Sequence, residues 1–352
     1  MLFDLMKILI PTAVAFFFGI FITPLATHYF YKYKMWKKKA RTESVSSSEF
    51  SKIHKAKELS EVSTPCVGGI IVWVSVLITT FFFYLLSIVL KDNLFFGELN
   101  FLSRAQTYVP IGVFALGAIL GLLDDVLEIT GRSYITRNTP WYTKLKLGLI
   151  IVTGAIAGYW FYVKLGMEQV SIPWDGYWHL GILFIPFVVF IMLATFSGGV
   201  IDGIDGLSGG VLASIFSAYA VIAYTNHQVD LAALAGVISG ATLAFLWFNI
   251  PPARFYMGET GMMPLTIVLA TFAFLTDTVF LLPIIALPLA ATSFSSAAQM
   301  IAKRFGRKVF RVAPLHHHFE AVGWPTYKIT MRYWILSIVF AILGIILSII
   351  SK

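Results

Sequence analysis

Charge and cysteine are what this sequence has least of. Only 12% of its 352 residues are Asp, Glu, Lys or Arg, against 58% hydrophobic, and the mean hydropathy is +0.81. Soluble domains carry about 25% charged residues. That excludes an ordinary soluble fold and points to a polytopic membrane protein. A single cysteine, Cys66, rules out an internal disulfide and a cysteine-built metal centre. No phosphate-cradling GxxxxGK[ST] run is present, which argues against an ATP-driven pump. Neither an internal repeat nor a low-complexity linker divides the chain, so residues 1–352 are expected to form one integral-membrane domain. The first apolar run is followed by lysines without a small-residue cleavage site, which predicts a retained helix.

What is present is a series of apolar runs, each close to the length that spans a bilayer, about 17–25 residues. They cover roughly 6–30, 68–90, 106–123, 145–163, 180–197, 207–225, 231–250, 262–277, 279–300 and 331–350. Backbone polar groups must bond internally in lipid, so these segments predict an all-α bundle of about ten transmembrane helices. The ninth contains Pro283 and Pro288, which favour a kink or break. After it, Ala298–Val312 mixes apolar and basic residues as an interfacial amphipathic helix does, although a plain basic loop has the same composition.

The formal net charge of +8 is explained by positive-inside orientation and anionic ligands, without nucleic acid. Lys32, Lys34, Lys37, Lys38, Lys39, Arg41, Lys52, Lys55 and Lys57 follow the first helix. Arg132, Arg137, Lys144 and Lys146 follow the third, Arg254 the seventh, and Lys303, Arg304, Arg307, Lys308, Arg311 and Lys328 precede the last. The opposite loops hold little beyond Lys91, Arg104 and Lys164. This places the basic side in the cytoplasm and both termini outside.

Every unusual polar motif falls on that basic side. Asp124-Asp125 end the third apolar run, where two carboxylates are costly unless paired, hydrated or bound to a cation. They could hold Mg²⁺ or act as base and charge partner; an exposed helix end meeting lysines is the ordinary alternative. In Ile201-Asp202-Gly203-Ile204-Asp205-Gly206-Leu207, a helical Asp202 and Asp205 would share a face, and Gly203 and Gly206 would let a phosphate or base approach the backbone. A helix-to-helix turn with Asp as a cap accounts for one of those aspartates but not for the doubled Asp-Gly. Trp247-Phe248-Asn249 and Phe255-Tyr256-Met257-Gly258-Glu259-Thr260-Gly261 offer an amide, a stacking ring and a third acid, with an interfacial aromatic belt as the rival reading for Trp247 and Phe248. In a basic loop, Pro314-Leu315-His316-His317-His318-Phe319-Glu320 supplies three imidazoles that act as donors, ligands or proton shuttles near neutral pH. Such acids with Lys57, Lys144, Lys146 and Arg304 suit a Mg²⁺-bound diphosphate.

Taken in order, Thr64-Pro65-Cys66-Val67-Gly68-Gly69, Asp124-Asp125, Asp202 to Leu207, Phe248-Asn249, Met257 to Gly261, and Pro314 to Glu320 with Gly323-Trp324-Pro325 resemble the MraY family of polyprenyl-phosphate N-acetylhexosamine-1-phosphate transferases. The resemblance spans nearly the whole chain. It implies transfer of phospho-MurNAc-pentapeptide from UDP-MurNAc-pentapeptide to undecaprenyl phosphate, giving lipid I and UMP with Mg²⁺, at the cytoplasmic face of the bacterial inner membrane, by a homodimer. By the same resemblance Asp124 is the candidate base or lipid-phosphate contact, with Asp125 its acidic partner. Asp202 is a catalytic acid, and Glu259 with Asp202 stands at the metal position. Asp205, Asn249 and Tyr256 match a uridine pocket, while Lys57, Lys146 and Gly203 are substrate-binding candidates by their charge and open backbone. His316, His317 and His318 match a histidine loop near diphosphate and sugar.

The sequence departs from the family at several points. Glu259 stands where aspartate is usual, Glu128 where a lysine is, and Cys66 where a threonine is. Ser197-Gly198-Gly199-Val200-Ile201 replaces an Asn-rich run, and about four extra residues precede Thr64. Competing readings are a UDP-GlcNAc-using relative, which the histidine run opposes, a lipid or nucleotide-sugar transporter, whose site lies near the midplane, and a catalytically silent scaffold.

Overall fold

The computed structural model describes residues 2–37, 63–90, 93–131 and 140–351. Lys57 and much of the basic segment after the first helix therefore lie outside the described residues. The chain is helical almost throughout. In order it forms α1 (Leu2–Lys32), α2 (Gly69–Val89), α3 (Tyr108–Ile129), α4 (Pro140–Leu165), α5 (Phe184–Ser197), α6 (Leu207–Thr225), α7 (Val229–Asn249), α8 (Gly258–Leu275), α9 (Leu282–Ile285), α10 (Leu287–Arg304), α11 (Leu315–Ala321) and α12 (Thr326–Ile350). Short 3₁₀ turns, Gly181–Leu183 and Gly198–Ile201, extend α5 at both ends. Leu94–Glu98 adds one further turn of helix before α3.

Among the described residues nine helical segments are long and apolar enough to cross a membrane. They match the expected runs, with starts and ends shifted by a few residues. The ninth run, 279–300, is divided. Ala286, with φ −109° and ψ 36°, separates α9 from α10, and Pro283 and Pro288 each sit in the first turn of the piece they open. A proline is tolerated there because the N–H it lacks has no helical partner. The expected amphipathic helix at Ala298–Val312 is not a separate element: α10 runs on to Arg304, and 305–314 are irregular. The apolar periodicity gives no sign of one small feature. Between α4 and α5, β1 (Gln169–Ile172) and β2 (Gly176–His179) pair antiparallel, Gln169 opposite His179.

The core is made by α6, α7 and α8, which are buried over most of their length, whereas α1, α4 and α12 present long apolar faces outward. An all-round apolar helix is what a bundle interior or a bilayer requires. The packing of α3 against α8 sets the position of the acidic residues. A Cβ on Gly117 would lie 2.8 Å from Pro264 Cα, and one on Gly121 would lie 2.2 Å from Glu259 O. Two glycines one helical turn apart thus let the backbones approach closely, as small residues do between membrane helices. The next turn of α3 carries Asp124 and Asp125 to the N-terminus of α8.

Candidate active site

Four unsatisfied N–H groups open every helix, and they carry partial positive charge. At α8 two acids use them, Asp125 buried and Asp202 half-buried. Asp125 is 1% exposed; its Oδ1 accepts from Glu259 N at 3.2 Å and its Oδ2 from Thr260 N at 2.8 Å. Asp202 Oδ2 accepts from Gly258 N at 3.2 Å, and its Oδ1 accepts from Ser208 Oγ at 2.8 Å. Gly258 has φ +68°, and a Cβ there would meet Cys66 O at 1.9 Å and Asp125 Oδ2 at 2.5 Å, so only glycine fits this corner. The cost of two acids at the edge of the bundle is thereby met by a helix N-terminus. Asp125 anchors α8 rather than facing a cavity.

Asp124, one residue earlier, points the other way. It is 4% exposed, accepts a hydrogen bond from the Tyr142 hydroxyl, and accepts another from Lys146 Nζ at 3.1 Å. The same ammonium lies 2.9 Å from Glu259 Oε1. One lysine of α4 therefore bridges an acid of α3 and an acid of α8. Its charge also lies 5.3 Å from the centre of the Phe196 ring, within cation–π range. A cavity of about 220 Å³ opens beside it, lined by Asp124, Tyr142, Thr143, Lys146, Leu147 and Phe196.

The Asp202–Gly206 turn is held from three sides. Asp205 Oδ2 accepts from Ala253 N at 3.1 Å, Thr330 Oγ1 donates to Asp205 O, and Trp334 Nε1 donates to Gly206 O. Asn249, 3% exposed, accepts from Gly206 N at 2.9 Å and donates to Phe255 O at 2.7 Å. Its amide, the expected contact to a base edge, ties the Gly206 turn to the Phe255 loop. Tyr256 is half-buried, with its backbone clamped between Pro65 O and Gly68 N. Trp247 is 67% exposed on the outside of α7, as an interfacial aromatic would be.

The histidine run is a short helix, not a loop, so successive rings turn about 100°. His316 and His317 are buried, with ring centroids 4.3 Å apart. His317 Nδ1 meets Glu320 Oε2 at 2.5 Å. Both rings abut Gly203, where a Cβ would be 2.6 Å from His316 Nε2 and 2.9 Å from His317 Nε2. His318 turns away: its Nδ1 accepts from Arg311 N, and its ring packs on Phe310.

Asp124, Asp125, Asp202, Glu259 and Lys146 thus form one connected network, joined through Gly203 to His316 and His317. Lys144 and Arg304 are exposed, with no ion pair among the described residues. Tyr142, Phe196, Ser208 and Trp334 complete the site, although nothing in their local sequence marks them. Glu128 pairs with Lys37 at 3.1 Å, both side chains 14% exposed, so its departure from the family pattern is balanced from the segment after α1. Cys66 is buried, and that burial, with Asp125 adding to it, pushes the thiol up to about 12.

No three His, Cys, Asp or Glu side chains among the described residues converge into a complete metal shell. Mg²⁺ does not need one: one or two carboxylates suffice when waters and substrate phosphates fill the rest. Asp124 and Glu259 fit that role, since both already converge on one cation. Of the expected pair, Glu259 meets Lys146, and the Asp202 oxygens accept from Ser208 Oγ and Gly258 N at the start of the same helix.

Residues 107–277 match a family model described as glycosyl transferase family 4. The chain is 33% identical over 306 residues to a phospho-N-acetylmuramoyl-pentapeptide-transferase of Anoxybacillus flavithermus, covering 86% of this chain and 87% of that one. The protein of the same name from Bacillus subtilis is 31% identical, with 86% and 87% covered. That from Chloroflexus aggregans is 29% identical over 362 residues, with 99% and 91% covered.

Proposed function

The chain belongs to the phospho-N-acetylmuramoyl-pentapeptide-transferase family, and from that premise we propose that it moves phospho-MurNAc-pentapeptide from its UDP carrier to undecaprenyl phosphate. The products are lipid I and UMP. A lipid phosphate oxygen attacks the sugar-linked phosphorus, the bond from that phosphorus to the bridging oxygen breaks, and UMP leaves with that oxygen.

Lys146 carries this reading, because among the described residues it is the cation that sits between acids of two other helices and also lines the cavity. Its ammonium has three donors; two meet Asp124 and Glu259, and the third is directed to a phosphate oxygen. Tyr142 holds the Asp124 carboxylate in place, where it serves as base or lipid-phosphate contact. His316 and His317, beside Gly203, face the diphosphate and sugar, and Asp205, Asn249 and Tyr256 receive the uridine. Mg²⁺, held by Glu259 and Asp124, would neutralise diphosphate charge. The orientation that puts this end of the bundle in the cytoplasm rests on the basic loops, and the homodimer on the family resemblance; both belong to the same proposal.

The test is UMP release by the purified protein with MgCl₂, comparing UDP-MurNAc-pentapeptide with UDP-GlcNAc, with and without undecaprenyl phosphate. Release only from the muramoyl substrate and only with the lipid is the expected result. Release from UDP-GlcNAc alone would reassign the donor.

A further inference from the structure

Three polar side chains of α10 that the proposed chemistry does not use share one buried stripe. Thr292, Ser295 and Gln299 follow the three- and four-residue spacing of a helix face and are 0%, 2% and 3% exposed. Buried hydroxyls and amides are costly unless they bond. Thr292 Oγ1 donates to Pro288 O within the helix at 2.7 Å, whereas Ser295 and Gln299 bond to the segment that leads into the histidine helix. Gln299 Oε1 accepts two backbone N–H groups, from Val309 at 3.1 Å and from Phe310 at 3.0 Å. Ser295 Oγ accepts from Leu315 N at 2.9 Å while donating to Thr292 O at 2.7 Å. Leu315 is the first residue of α11, and Pro314 before it supplies no side-chain cap. Ser295 therefore caps α11 from a different helix. The segment from 309 to 315 is tied to α10 at both ends.

His316 follows Leu315 directly. Its ring and that of His317 fill the space beside Gly203 so closely that a single Cβ would collide with both. A shift of the helix start by a fraction of an ångström therefore changes how these rings meet the Asp202–Asp205 turn.

We propose that Gln299 and Ser295 are positioning residues for the transfer reaction, fixing the histidine helix against the acidic turn by three backbone hydrogen bonds. The inference rests on the reading of His316 and His317 as groups that meet the diphosphate and sugar. Neither Gln299 nor Ser295 touches substrate; they act through the imidazoles.

The experiment compares Gln299→Met, which keeps bulk but removes the acceptor, with Gln299→Glu, which keeps acceptor oxygens. Both are made in the wild-type chain and in a His317→Ala background. Displacing a catalytic group by about 1 Å costs on the order of a hundredfold. Gln299→Met is expected to lower kcat by roughly ten- to a hundredfold with a smaller change in KM for the nucleotide sugar, and Gln299→Glu is expected to recover most of it. In the His317→Ala background the further loss shrinks to less than about threefold, since the two residues act as one unit. Hydrogen exchange of the 309–315 amides rises in Gln299→Met. Ser295→Ala, a smaller change, gives the same pattern if Gln299→Met does not accumulate. A fully active His317→Ala would overturn the histidine reading and this proposal together. An impaired His317→Ala with Gln299→Met either unimpaired, or equally costly in both backgrounds, would overturn the positioning role alone.

Discussion

Replacing Lys146 with methionine removes a charge while keeping nearly the length of the side chain. The ammonium lies 3.1 Å from Asp124 Oδ2 and 2.9 Å from Glu259 Oε1, with Asp124 and Glu259 side chains 5% and 27% exposed. Those two oxygens are thus no farther apart than the sum of these distances, about 6 Å. At an effective dielectric near 20, two negative charges that far apart repel by about 3 kcal/mol. Breaking a largely buried ion pair costs about 3–5 kcal/mol, mostly because a charge is left uncompensated. The variant should therefore melt several degrees lower in detergent micelles. A divalent cation added without substrate would relieve that repulsion, so MgCl₂ should raise the melting midpoint of Lys146→Met more than that of the wild type. UMP release should fall by about a hundredfold or more, since the phosphate loses a charged donor. A variant with an unchanged midpoint and a wild-type response to MgCl₂ would refute the bridging arrangement.

Gly203→Ala should push His316 and His317 off the acidic turn, lowering turnover while the melting midpoint moves little, because α11 lies outside the bundle core; kinetics and a thermal scan decide it. Lys37→Glu and Glu128→Lys should each destabilise by about 1–3 kcal/mol, and the double exchange should restore most of the loss, as a double-mutant cycle measures. Cys66 is 2% exposed and its thiol is raised to about 12, so a maleimide at pH 8 should leave it unmodified until the protein unfolds. Because the folded thiol titrates above its ordinary 9.0, its contribution to stability is intact below pH 9.0 and lost as pH climbs toward about 12; Cys66→Ala should remove that part of the alkaline destabilisation.

The helices were legible because apolar runs of spanning length leave the backbone no other choice. The break at Ala286 was legible because Pro283 and Pro288 each remove a donor. The Asp-Asp and doubled Asp-Gly motifs stood out because acids are rare in so apolar a chain. Their division of labour did not. Asp124 and Asp125 are neighbours in sequence but point about 100° apart on a helix, one to Lys146 and one to the α8 N-terminus. Only the close approach of α3 to α8 at Gly121 tells which is which. The tie that Asn249 makes between two loops is not legible, because its partners, Gly206 N and Phe255 O, are backbone groups that carry no signature in the sequence. Tyr142 and Phe196 were invisible for a related reason: aromatic residues are common at helix ends in membrane proteins, and only three-dimensional placement sets these two beside Asp124.

Acids of α3 and α8 converge on what we read as one phosphate-handling centre. UMP release measured side by side for the wild type, Asp124→Asn and Glu259→Gln, at equal MgCl₂ and undecaprenyl phosphate and with folding checked by melting midpoint, tests that convergence most directly. Both variants should remain folded and lose about a hundredfold or more of the activity; near-normal release by both would contradict the account.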